Sequence, residues 1–257
     1  MKKILALILA FSILTFPTNI FASLGSHSLD LEQASNQYAS RADTASLSIT
    51  GDLAIEAWVK LESIGAGQEF YVFSKWLGTG NQRAYSFNIT DGNTMRLLIS
   101  QDGSTNDTLA VAWTPSLDTW YHVAVSWDAS ASTAKFYIDG VQQGSDQTGT
   151  RTAILNSSAT AYIGASEGTA IADGKTVLVR VWSSERTAAN FDDNKCTALG
   201  ATASLAAEWT LDEVATDNSG NSNDLTLVNT PSYSADIPAE CAPAAPTNGA
   251  PMMMGSF

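Results

Sequence analysis

Along much of the chain, apolar and polar side chains alternate with a period of two. Ile55, Ala57, Val59 and Leu61 fall on one face of an extended segment, with Glu56, Trp58 and Lys60 on the other. The same alternation sets Tyr121, Val123, Val125 and Trp127 against His122, Ala124, Ser126 and Asp128. It sets Phe136 and Ile138 against Lys135, Tyr137 and Asp139, and Tyr85, Phe87 and Ile89 against Ser86 and Asn88. Val177, Val179 and Val181 oppose Leu178, Arg180 and Trp182. Each segment reads as a strand with one face buried against a second sheet. Hairpin turns are predicted at Asp91-Gly92-Asn93, Asp102-Gly103 and Asp139-Gly140, because Gly and Asn tolerate positive φ. The only helical candidate is short, from Ser184 to Lys195. The pattern predicts an all-β protein, a two-sheet antiparallel β-sandwich.

Three of these segments occur in a telling order: "IEAWVKL" from Ile55, "DTWYHVAVSWD" from Asp118 and "KFYIDGVQQG" from Lys135. Together they resemble the laminin-G-like, concanavalin-A-like lectin-glucanase jelly-roll family. The resemblance runs from about Ser28 to Pro238 and implies a jelly roll. The phrase from Ala207 to Tyr233 resembles one that often begins laminin-G-like repeats. No complete second repeat follows, so it is expected to fold back into one domain spanning residues 23–241. This fold carries binding modules, adhesins and enzymes alike, so it leaves function open. The resemblance also implies that the strands holding Glu56 and Arg180 are neighbours. A cross-strand ion pair flanked by Trp58 and Trp182 is therefore expected, either lining a sugar groove on a concave sheet or covered by loops.

The first residues add a location. Met1-Lys2-Lys3, an apolar run from Ile4 to Phe16, and small residues ending at Ala22 describe a signal peptide over residues 1–22. The run is shorter than the ~20 residues that span a bilayer. The mature chain is then expected to be secreted, extracellular or periplasmic, without membrane insertion. Its two cysteines, Cys196 and Cys241, read as one disulfide in that setting; free thiols or half of a metal site are the alternatives. Net charge is −13, which repels nucleic acid and anionic lipid. Residues 242–257, rich in Pro and Ala, read as a disordered tail.

Candidate chemistry is uneven. Glycanases of this fold place carboxylates on alternate positions of one strand, so that two of them flank the scissile bond. Asp30 and Glu32 alternate but have no third partner in sequence, and Asp212 and Glu213 are adjacent, pointing to opposite faces of a strand. His27 falls in a stretch expected to be loose and His122 in a strand centre, so no Ser-His-Asp set is expected. These features predict a protein that is not an enzyme.

For glycan contact, Trp76, Asn81, Gln82 and Arg83 share one loop, with Trp113 as a second aromatic plane. Aromatic faces stack on sugar CH groups, while amide and guanidinium groups bond the hydroxyls; Trp76 as a plain loop anchor is the alternative. Asp217, Asn218, Asn221, Asn223 and Asp224 could supply oxygens to a structural calcium ion, or form an Asx-rich turn. The leading expectation is a secreted module that binds carbohydrate or mediates adhesion at a cell surface. A protein-binding component of an extracellular assembly comes second, and a glycoside hydrolase third.

Overall fold

A computed structural model describes residues 22–170 and 173–242. Nearly all of the expected signal segment, and the expected tail beyond residue 242, lie outside the described residues.

Two antiparallel sheets share one core. The larger runs, edge to edge, through Val141–Thr148, Thr133–Ile138, Trp120–Asp128, Leu53–Ser63, Asp173–Trp182, Ser28–Leu31 and Ser232–Ser234. Its eighth strand, Leu205–Trp209, pairs with the far half of Asp173–Trp182. The second sheet runs through Thr226–Val228, Tyr38–Arg41, Ala161–Ile163, Glu69–Lys75, Tyr85–Thr90, Thr94–Ile99 and Asp107–Ala112. The all-β sandwich expected from alternation is the fold observed. The segment after Cys196 folds back into it as expected, giving Leu205–Trp209 and Ser232–Ser234 to one sheet and Thr226–Val228 to the other.

The alternating aliphatic faces meet between the sheets. Ile55, Val59, Val123, Val125 and Phe136 pack with Phe70, Phe73, Tyr85, Phe87 and Ile89, all essentially inaccessible to solvent. Phe73 stacks between Tyr85 at 6.0 Å and Trp209 at 5.8 Å. Each such side chain contributes about 1.5–3 kcal/mol when fully buried, which makes this interior the main source of stability.

The three hairpins form where expected. At Asp139-Gly140 both residues have positive φ, +50° and +77°, the backbone that a two-residue turn between twisted strands needs. Gly140 is also required by space, since a Cβ there would meet Asp192 Cβ at 2.7 Å. The hairpin tip is thus pressed against the helix that carries Asp192.

That helix, Ala188–Asn194, is shorter than the expected segment. It starts at Thr187, whose hydroxyl accepts from Asn190 N–H while Asn190 Oδ1 accepts from Thr187 N–H. Phe191 drops onto the outer face of the larger sheet, against Tyr137, Trp182 and Ala54.

The strand Asp173–Trp182 departs from simple alternation. Register shifts between Val177 and Arg180, where Leu178 takes a φ of +52°. This bulge puts Val177 and Leu178 together on the outer face with Trp58, leaving Val179 and Val181 inside. The expectation that Val177 faces the core is therefore corrected.

Candidate functional site

The outer face of the larger sheet holds a buried ionic centre. Arg180 pairs in register with Glu56, as expected, and both are at most 1% exposed. The closer partner of Arg180 is Glu208, which sequence reasoning missed: Nε donates to Glu208 Oε2 at 2.7 Å, against 3.5 Å from Nη1 to Glu56 Oε1. Glu56 Oε1 also accepts from Trp182 Nε1 at 2.9 Å, and its Oε2 lies 3.1 Å from His122 Nε2. Burial alone would raise the Glu56 pKa, but the Arg180 charge, His122 and the Trp182 hydrogen bond outweigh it and hold the carboxyl below its ordinary value.

This centre is stitched to a roof. The last carbonyls of a helix lack intrahelical partners. Here Asn194 C=O accepts from Arg180 Nη1 at 3.1 Å, Lys195 C=O from Trp58 Nε1 at 2.6 Å, and Thr197 C=O from Arg180 Nη2. Glu208 in turn accepts the N–H groups of Leu199 and Gly200. The Cys196–Cys241 disulfide, present as expected, closes the same roof. The Glu56–Arg180 pair is therefore the loop-covered pair, not the lining of an open groove. Glu208 was legible in principle, since a lone carboxylate inside the apolar run "LAAEW" must be paired if that run is buried.

The Trp76 loop sits at one end of the smaller sheet, where Lys75, Tyr85, Ile99 and Asp107 are aligned. Trp76 is half-buried, and the Arg83 guanidinium carbon lies 6.0 Å from its ring centroid. Arg83 Nη1 donates to Ser104 C=O at 2.5 Å, and Asn81 is exposed with a φ of +56°. Gln82 is committed to the loop itself, accepting from Ser158. Trp113 does not join them. It follows Ala112, at the opposite end of the same sheet, and packs edge-on against Tyr121 at 5.1 Å.

The loop proposed for calcium is closed by its own hydrogen bonds. Asp217 Oδ1 accepts from Glu208 N–H and Ser219 N–H, and Oδ2 from Ser219 Oγ and Asn223 N–H. Asp224 Oδ1 accepts from Asp217 N–H, while the Asn221 amide donates to Leu205 and Ala206 carbonyls. Asn218 anchors through its backbone, N–H to Glu208 C=O. With two donors already on each Asp217 oxygen, this arrangement is an Asx turn joining the strand Leu205–Trp209 to the 44–46 segment, to which Asn223 bonds through Thr44 and Ser46. As folded, these residues do not fit a calcium ion.

Carboxylates gather elsewhere. Glu62 joins Asp30 and Glu32, so that pair does have a third partner, and Lys175 bonds Glu62 and lies 3.4 Å from Asp30. Asp52, Asp128 and Glu185 form a second group. The stretch at His27 is anchored rather than loose: Asp212 Oδ1 accepts from the N–H groups of Ser26 and His27. Asp212 and Glu213 both approach the His27 ring, at 3.3 and 3.5 Å, because they lie in a bend and not in a strand. Ser26 Oγ and Asp212 Oδ1 share the same ring nitrogen, Nδ1, so Asp212 is not placed to relay a proton through the ring to Ser26.

A family model described as the concanavalin A-like lectin/glucanases superfamily matches residues 33–190, more than half of the chain. The chain belongs to this superfamily. No curated protein matches it. A solved structure from Bacteroides ovatus ATCC 8483, titled a "putative carbohydrate binding protein", has a TM-score of 0.63 at 19% identity, covering 81% of this chain and 59% of that one. This chain thus spans well under two thirds of that protein. The CBM40 of the Ruminococcus gnavus IT-sialidase, bound to alpha2,3 sialyllactose, has a TM-score of 0.50 at 15% identity, covering 65% of this chain and 96% of that one. At these identities the likeness establishes the jelly-roll fold.

Proposed function

We propose that this protein is a secreted, non-catalytic carbohydrate-binding module that contacts glycan through the Trp76 loop. Membership of a lectin and glucanase superfamily supports the class, and both structural relatives carry names that refer to carbohydrate binding. The observation that carries the site is the half-buried Trp76 ring at the sheet end, with the Arg83 guanidinium over it and exposed Asn81 alongside. A sugar ring stacks on the indole through its CH groups, and Asn81 and the unbonded N–H groups of Arg83 meet its hydroxyls. A binding role is further supported by the two carboxylates beneath the roof: Glu56 and Glu208 are sealed from solvent and held by Arg180. A glycosidase pair must reach its substrate.

A glycan array followed by calorimetric titration tests the reading, with and without a calcium chelator. Trp76→Ala and Arg83→Ala are expected to weaken binding about tenfold, which corresponds to about 1.4 kcal/mol. Absence of binding to every glycan would reject the function, and full affinity in Trp76→Ala would reject the site.

A further inference from the structure

The sandwich carries another half-buried tryptophan, far from Trp76. Trp120 opens the strand Trp120–Asp128 and pairs with Lys60, close to the Ser63 end of its neighbour. That end leads directly into Glu69, and the strand Glu69–Lys75 separates it from the Trp76 loop. Trp120 borders a groove of about 460 Å³, whose other walls include Asp118, Asp236, Pro238 and Glu240.

Three features make this groove a defined surface. The indole is fixed, since Trp120 Nε1 donates to Asp236 Oδ1 at 3.0 Å and Asp236 Oδ2 is held by Lys60 Nζ at 2.6 Å. The facing wall is fixed too: Ser28 Oγ donates to Asp236 C=O at 2.7 Å, and the short turn Ala239–Cys241 ends in the disulfide to Cys196. On its inner side the groove meets Trp58, bonded to the roof at Lys195.

Its chemistry selects the ligand. Every charged side chain lining the groove, Asp118, Asp236 and Glu240, is a carboxylate. The neighbouring lysines are engaged, Lys60 with Asp236 and Lys195 with Asp192 and Glu240. Such a rim accepts hydrogen bonds and repels anions, while the indole offers an apolar plane. Ordered walls lower the entropy lost on binding.

We infer that this groove is a second saccharide subsite, taking a neutral, hydroxyl-rich sugar unit of a glycan. The sugar lies against Trp120, above the buried Trp58, and donates hydroxyls to Asp118 and Glu240. Acidic sugars are disfavoured by a rim whose charged side chains are all carboxylates, two of them offset by Lys60 and Lys195 and Asp118 facing the ligand directly. The inference rests on the carbohydrate-binding reading but not on the Trp76 loop.

The test uses the full chain carrying Trp76→Ala, titrated with xylotriose, mannotriose, maltotriose and the acidic trigalacturonate, and followed through indole Nε1–H resonances. At least one neutral trisaccharide is expected to bind and shift the Trp120 signal, with trigalacturonate weaker by tenfold or more. Trp120→Ala is expected to abolish that residual binding. Asp118→Asn, which tolerates the φ of +55° at this position, is expected to weaken it several-fold with an unchanged fold. Binding by the intact chain that vanishes in Trp76→Ala overturns the subsite and leaves the proposed function standing. Failure of all four probes with the intact chain overturns the subsite, while the proposed function is decided by the glycan array. Preference for trigalacturonate, or full affinity in Asp118→Asn and Trp120→Ala, also overturns the subsite.

Discussion

The outer faces of the two sheets each carry an arginine between polar partners, yet the two clusters do different work. On the larger sheet Arg180 lies between Glu56 and Glu208, all at most 1% exposed, beneath the helix and the disulfide-closed segment. On the smaller sheet Arg96 donates to Glu69 at 2.6 Å and to Asn88, and the Arg96 and Glu69 side chains keep about a quarter of their surface, 24% and 22%. In sequence the two look alike, charged residues at outward positions of alternating strands. What separates them is cover. Desolvated ions need every partner and so hold the roof in place, whereas a partly solvated pair can lose a partner to water at little cost.

That contrast breaks most easily at Arg180. Arg180→Met leaves two sealed carboxylates without their cation, and a loss on the order of 3–5 kcal/mol in denaturant unfolding is expected; a loss below about 1 kcal/mol would show that the centre is not sealed. Removing the disulfide, as Cys196→Ser with Cys241→Ser, frees a sequence separation of 45 residues. The chain-entropy argument puts the loss at roughly 4 kcal/mol. Amide exchange should also rise first in residues 194–200, and uniform exchange across the sheet would place the restraint elsewhere.

Acid sharpens the comparison. The carboxyl of Glu56 sits below its ordinary 4.5 in the folded state, so the stability it contributes is full above that value and drains as pH falls through the lower folded value. Melting temperature should therefore fall below about pH 4.5, and Glu56→Gln should flatten that part of the curve; parallel curves would contradict the assignment. The smallest effect belongs to the open face. Arg96→Met is expected to cost less than about 1 kcal/mol, measured by the same unfolding titration, and a cost near that of Arg180→Met would erase the distinction.

The sandwich was readable because alternation reports directly on two-faced strands, and the Glu56–Arg180 register followed from strands that the resemblance placed side by side. The errors came from features with no local signature. The bulge at Leu178 uses a leucine where a glycine would have marked it, so alternation alone puts Val177 on the wrong face. Asp212 reaches His27 across 185 residues, and Glu62 reaches Asp30 from another strand. Residue type alone groups Trp113 with Trp76, although strand direction sends them to opposite ends. The Asx-rich loop from Thr216 to Asp224 has the composition of an ion site, and only its hydrogen bonds reveal a turn already satisfied.

On the proposed reading, glycan recognition lies at the ends of the sandwich and not on the roofed face. Indole Nε1–H resonances of the seven tryptophans during a neutral oligosaccharide titration test it most directly. Shifts at the half-buried Trp76 and Trp120, with the roofed Trp182 and the core Trp209 unmoved, are the predicted result. Movement of Trp182 while Trp76 and Trp120 stay fixed would contradict it.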